Sequence, residues 1–230
     1  MQRATPNGGV KSQVLFDPDG RFLATSAFRE GTDGRGAASV VLWEVSVPML
    51  LYRACQTAGR NMTAAEWRSY FGGEPHRITC PATAADEAEA LALAGNKDGA
   101  QRLFAAAWNA ALAMGKLGRH SDIANEICWV GSTAGFAATV QAACDHAVQW
   151  ADPAVRDLYR DSRGLARALT GDKQGAIDDF ESFVSYLNRE PGRGGSSETV
   201  LRRREKWIDA LRKGDDPFNA KLLEELRIED

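Results

Sequence analysis

The sequence predicts a mostly α-helical chain, an array of helical hairpins behind a small N-terminal antiparallel β unit. Three observations carry that prediction. One segment occurs twice: Ala90-Leu-Ala-Leu-Ala-Gly95-Asn-Lys-Asp-Gly99-Ala100-Gln-Arg-Leu-Phe104 returns as Ala166-Arg-Ala-Leu-Thr-Gly171-Asp-Lys-Gln-Gly175-Ala176-Ile-Asp-Asp-Phe180, with 8 of 15 positions identical at an offset of 76 residues. Each copy reads as a helix end, a glycine turn and a new helix opening on Gly-Ala, which is the pattern of stacked hairpins. Between and around the copies, residues 83–190 consist of helix-length segments with short turns. By contrast, residues 10–47 alternate short apolar runs with strong turn signals.

In chain order, Gln13 to Phe16 is a short strand ended by Asp17-Pro18-Asp19-Gly20. Phe22 to Thr25 is a second strand, Glu30 to Ala38 a loop rich in Gly and Asp, and Val40 to Val45 a third strand. These 47 residues form one expected domain. The next, residues 48–82, is a connector. Within it, Leu50 to Ala58 suits a short helix, and Thr63-Ala-Ala-Glu66 is a capping box that opens a helix carrying Trp67, Tyr70 and Phe71. Gly72-Gly73 stops that helix, and Glu74-Pro75 and Cys80-Pro81 favour extended chain.

The hairpin region, 83–190, divides into three pairs. The first is Asp86–Ala94 with Asp98–Met114, the second Ser121–Val130 with Phe136–Trp150, and the third Pro153–Leu169 with Gln174–Leu187. Asp152-Pro153 reads as an N-cap with proline at the first helical position. Val140, Cys144 and Ala147 recur on one face of the second pair. Residues 191–230 are a flexible linker, Pro191 to Ser197, followed by two capping helices. Glu198–Lys213 turns Val200, Trp207, Ile208 and Leu211 to one face. A last helix begins at Asp216-Pro217 with Phe218, Leu222 and Leu226 inward, and Trp207 and Phe218 seal the end of the stack.

Composition excludes several functions. The net charge of −3 over 230 residues provides no global field for nucleic acid or an anionic membrane. No run approaches the roughly 18–20 apolar residues of a membrane span. The opening Met-Gln-Arg-Ala-Thr-Pro-Asn-Gly-Gly lacks the apolar centre of a signal peptide. On that basis the protein is expected in the cytoplasm, with Cys55, Cys80, Cys128 and Cys144 as reduced thiols. Cys55 and Cys80 flank the connector; a redox-sensitive bond between them is the alternative to two small side chains filling gaps.

No catalytic, cofactor or metal constellation stands out. Phosphate loops, dinucleotide fingerprints and Cys-x-x-Cys pairs are missing from the sequence. Cys144 and His146 are two apart on a helix and face differently. His120-Ser121-Asp122 contains triad residue types, but adjacent side chains do not form a relay and Ser121-Asp122 is a good helix start. The candidate partner-binding residues lie in the third pair. Arg156, Arg160, Arg163 and Arg167 form a basic stripe suited to a carboxylate or acidic peptide, against the alternative of a solvated face balanced by Asp152, Asp157 and Asp161. Asp161, Leu165 and Ala168 are the expected lining of a concave groove beside it. The run Arg202 to Lys206 reads as a solvated helix.

Several segments resemble known families. Phe16-Asp-Pro-Asp-Gly20, Leu23-Ala24-Thr25 and Val41-Leu42-Trp43-Glu44 resemble the last blade of a WD40 propeller, although Glu44 stands where that blade usually has Asp. A lone blade leaves its edges unpaired, so it must belong to a longer protein or pack on a partner or the helices. Gly164, Ala168, Ala176 and Phe180 resemble a tetratricopeptide repeat, with Phe183 in place of its usual Ala. The string Ala54-Cys55…Gly59-Arg60-Asn61-Met62-Thr63…Glu66-Trp67…Tyr70…Glu74-Pro75…Thr79-Cys80-Pro81 is similar to the segment after the propeller in bacterial WD40-repeat signalling proteins with a STAND-type NTPase. Trp207 to Phe218 resembles the ending of the same proteins. The resemblance implies a non-catalytic protein-protein interaction or scaffold module, the sensing end of a signalling or defence assembly, with a protein or peptide partner and no cofactor. The rival expectation is a structural module that completes a propeller or assembly in trans.

Overall fold

The computed structural model describes residues 11–30, 36–114, 120–189 and 198–228. The chain is mostly helical, with one three-stranded antiparallel sheet near its N-terminus. It divides between Gln56 and Thr57 into two compact units.

In the first unit, β1 (Lys11–Phe16), β2 (Phe22–Glu30) and β3 (Gly36–Glu44) form a meander in the order β1-β2-β3. The β1–β2 turn closes as expected from Asp17-Pro-Asp-Gly20: the Asp17 carboxylate accepts from the Phe22 amide at 2.7 Å, and Gly20 takes φ +67°. The second hairpin is longer than the sequence suggested. Pairing runs from Phe22 opposite Glu44 out to Glu30 opposite Gly36, so both ends of the expected loop, Glu30 and Gly36 to Ala38, are strand. Cross-strand pairing supplies the hydrogen bonds that the local propensity of Gly36 disfavours. Val14, Leu15, Phe16, Val40, Val41, Leu42 and Trp43 are exposed, while Leu23 to Ser26 of the central strand are half-buried. Helix α1 (Val47–Ala58) follows.

The second unit opens on the connector. Helix α2 (Ala64–Phe71) starts at the expected capping box: Thr63 Oγ1 accepts from the Glu66 amide at 3.2 Å and Glu66 Oε2 from the Thr63 amide at 2.9 Å. Trp67 is buried and donates its indole N–H to the Glu74 carbonyl at 3.1 Å. Asn61 holds the far end, its Oδ1 accepting from the Thr79 and Cys80 amides and its Nδ2 donating to the Cys80 carbonyl. Residues that carry the family resemblance therefore act here by shaping the joint.

Three antiparallel pairs follow: α3 (Pro81–Leu93) with α4 (Lys97–Ala113), α5 (His120–Thr133) with α6 (Ala137–Trp150), and α7 (Arg156–Leu169) with α8 (Lys173–Arg189). The duplicated segment is the turn of the first and third pairs. Gly95 and Gly171 sit at φ +83° and +92°, and the next amide reaches back five residues, Asn96 to the Leu91 carbonyl and Asp172 to the Arg167 carbonyl, both at 2.9 Å. Asn96 and Asp172 then cap the second helix through the Gly99 and Gly175 amides at 2.9 Å. A Cβ at Gly99 or Gly175 would stand 2.6 or 2.2 Å from the capping side chain, which accounts for the repeated glycine. The middle pair makes the same turn at Gly135, with Phe136 bonded to the Gly131 carbonyl, although its sequence hides the match.

Some helix starts differ from expectation. Pro81 opens α3 at its first turn, five residues before the predicted start. Regular helix in α7 begins at Arg156, not Pro153: the Asp152 carboxylate accepts from Ala154, and its carbonyl takes both the Val155 and Arg156 amides, so the chain spends a tight turn before settling. Helices α9 (Glu198–Arg212) and α10 (Ala220–Ile228) close the unit. The last of these starts after the predicted Asp216-Pro217, because Asn219 caps it through the Leu222 amide at 3.0 Å. The predicted linker 191–197 lies outside the described residues.

One core joins the first two pairs through Ala84, Ala88, Phe104, Ala107, Ile127 and Val140, all fully buried. A second joins the third pair to the C-terminal helices, where Phe180, Trp207 and Phe218 pack ring against ring. Phe180 also closes on Gly164, where a Cβ would come within 2.9 Å of the ring.

The expectation of reduced thiols is overturned. Cys128 of α5 and Cys144 of α6 form a disulfide, and no described cysteine is a free thiol. Both residues face the same buried seam, the inward face predicted for Cys144, and antiparallel packing brings their Cα atoms to 4.9 Å. Free small side chains at Cys55 and Cys80, the favoured sequence reading, are corrected on the same ground.

Candidate functional site

The first helix of each pair, α3, α5 and α7, contributes one wall of a cavity of about 790 Å³. Helix α3 supplies Asp86 and Glu89; α5 supplies Asn125, Glu126, Trp129 and Thr133; α7 supplies Leu158, Tyr159, Asp161 and Ser162. Phe183, Val200, Arg204, Leu226 and Arg227 close it from α8, α9 and α10. Helical periodicity explains the selection. Asn125, Trp129 and Thr133 recur every four residues on one face of α5, while Ala124, Ile127 and Cys128 turn into the core.

The cavity is amphipathic. Trp129, Tyr159 and Phe183 provide ring surface, and Asp86, Glu89 and Glu126 provide carboxylates. Burial pushes the Asp86 carboxyl above its ordinary value, with Glu87 adding to it. Burial also raises Glu89, although Arg227 opposes the shift. Tyr159 donates its hydroxyl to Asp122. Asn125 Oδ1 is buried without a hydrogen-bond partner, and Ser162, 5 % exposed, sits in the wall.

The predicted arginine stripe has another setting. Arg163 donates two bonds to Asp179, at 2.8 and 2.7 Å, and Arg167 a third at 2.9 Å. Burial works against the Arg163 charge, but the hydrogen bonds and attraction of Asp179 outweigh it and hold the guanidinium above its ordinary value. Arg160 donates to Ser182 at 2.5 Å and lies 3.6 Å from Asp157. Arg156 reaches the Ala151 carbonyl at 3.3 Å. Arg160, Arg163 and Arg167 thus form a seam with α8, and its main balancing aspartate, Asp179, is not legible from α7 because it lies on the next helix. Asp161 lines the cavity, and its carboxylate is held by Arg204 through bonds of 2.8 and 2.6 Å. Leu165 is fully buried and Ala168 packs against the C-terminal core, so neither faces the cavity. Arg204 lies 4.2 Å above the Trp207 ring, a contact within the run read from sequence as solvated.

Cys144 is bonded to Cys128, and His146 packs between Trp108 and Trp150. Among the described residues no group of three or more His, Cys, Asp or Glu side chains is placed to hold a metal ion, and no helix is long and apolar enough to cross a membrane. Comparison with protein-family models, with curated proteins and with solved structures finds no match to this chain.

Proposed function

We propose that this chain is a non-catalytic interaction module whose partner, a protein or peptide, enters the cavity framed by α3, α5 and α7. One observation carries the reading: three successive hairpins each turn their first helix to the same cavity, presenting aromatic rings, carboxylates and the unpartnered Asn125 Oδ1. Hairpin arrays build extended recognition surfaces of this kind from repeated helices. The resemblance of the connector and the C-terminal segment to bacterial WD40-repeat, STAND-type signalling proteins supports a sensing or scaffolding role in such an assembly, in the cytoplasm. The Cys128–Cys144 bond is compatible with a reducing compartment because both residues are fully buried, out of reach of small thiols. Pull-downs with the full chain test the proposal. Asn125→Arg, which fills the cavity, is expected to lose a specific partner that Arg102→Ala, on exposed α4, retains; equal capture by both variants overturns the reading.

A second reading, assembly through the sheet, draws on the exposed apolar residues Val14, Leu15, Phe16, Val40, Leu42 and Trp43. It predicts concentration-dependent association in sedimentation that Leu42→Lys abolishes. A chain that stays monomeric throughout counts against it.

A further inference from the structure

We infer that α10 is a displaceable resident of the cavity, and that the partner is an α-helix presenting a leucine followed by an arginine in the manner of Leu226 and Arg227. The inference rests on the cavity being the partner site.

The chain's own residues define what the cavity accepts. Leu226 is 2 % exposed and fills the apolar side, against the cluster that includes Trp129 and Leu165. Arg227 bridges two of the three framing helices. Its Nη1 donates to the Thr133 carbonyl at 3.2 Å, and its Nε lies 3.8 Å from a Glu89 carboxylate oxygen. Thr133 is the last residue of α5, whose closing carbonyls have no partner within the helix and favour a cation. A guanidinium placed there meets a carbonyl and a carboxylate together, with the leucine one residue back entering the ring-lined wall.

The attachment of α10 is slight by comparison with the other helices. It spans nine residues, too few to be stable alone, and Leu226 is its one buried residue. Glu224, Glu225 and Ile228 are exposed, and Leu222 and Leu223 are half-buried. Helix α10 also leaves room beside it, because the open cavity measures about 790 Å³. A longer helix with the same Leu-Arg pair would keep the contacts of Leu226 and Arg227 and add others along Trp129 and Tyr159.

The test uses the full chain and a fluorescein-labelled peptide of residues 216–230, read by anisotropy. A tethered helix competes at an effective concentration in the millimolar range, so the peptide should bind Leu226→Ala/Arg227→Gln roughly tenfold more tightly than the parent chain. Arg227→Gln alone keeps the apolar anchor and protects the test against misfolding; it should show a smaller gain in the same direction. A peptide carrying Leu226→Asp and Arg227→Glu should not bind. Equal affinity for parent and released chains, or binding of the altered peptide, overturns the inference. If the peptide fails while Asn125→Arg still abolishes partner capture, α10 is a fixed cap and the cavity remains the partner site. Peptide binding to the released chain that survives Asn125→Arg places the peptide outside the cavity and overturns both.

Discussion

At the scale of single residues, charge is the main surprise. Arg163 and Arg167 look like a free basic surface when helix α7 is read by itself, because their spacing puts them on one face. Their partner, Asp179, lies 16 and 12 residues further on, across a turn, and one carboxylate accepts three guanidinium bonds. Asp179→Ala would leave two arginines facing each other in a half-buried seam. It is expected to destabilise the fold by about 3 kcal/mol, measured as a lower urea midpoint with an unchanged slope. The pair Asp161–Arg204 was still harder to foresee, since 43 residues separate its members. Gly164 and Phe180 were legible as a small and a large position, and the structure brings them together.

Among elements, local chemistry was read most reliably. The Thr63–Glu66 box was visible as four residues and forms as written. Glu66 also accepts two bonds from Arg60, and these, with the Thr63 amide, lower its carboxyl from 4.5 to about 2. A depressed acid stabilises the fold above its ordinary value and loses that contribution as pH falls through the folded one. Thermal melts of the parent and Glu66→Gln should therefore differ above about pH 4.5 and converge as pH approaches about 2. The Cys128–Cys144 bond could not be read locally, because it depends on the α5–α6 register. It closes a loop with a separation of 16 residues, so Cys128→Ala/Cys144→Ala should cost about 3 kcal/mol in chemical denaturation. No loss of stability would mean that the packed hairpin already restrains the unfolded chain. Helix starts at Asp152 and Asp216 were displaced because each carboxylate caps a turn two residues on before the regular helix begins.

Across the whole molecule, the cavity exists only because three hairpins stack in register and the C-terminal helices return to them. Its acids bear on how it binds. Burial raises Asp86 and Glu89, so each gives up its proton at a higher pH than it would in water. A cationic partner needs them ionised. Affinity for a helix carrying arginine is expected to strengthen as pH rises through that raised range, and in parallel the Glu89→Gln variant should show a flatter pH profile by anisotropy. An unchanged profile would remove Glu89 from recognition.

The helical hairpins, their glycine turns, the connector's cap and the first β-turn are legible along the chain, because each rests on contacts within a few residues. The sequence also marked Trp207 and Phe218 as the seal of the array, since large apolar side chains at helical spacing must find cover. Which charges are paired, which cysteines are joined and which residues face the cavity follow from packing between helices distant along the chain. Those outcomes depend on the rotation and register of one helix against another, and a change of one residue in either would send Asn125, Trp129 and Arg227 to different neighbours.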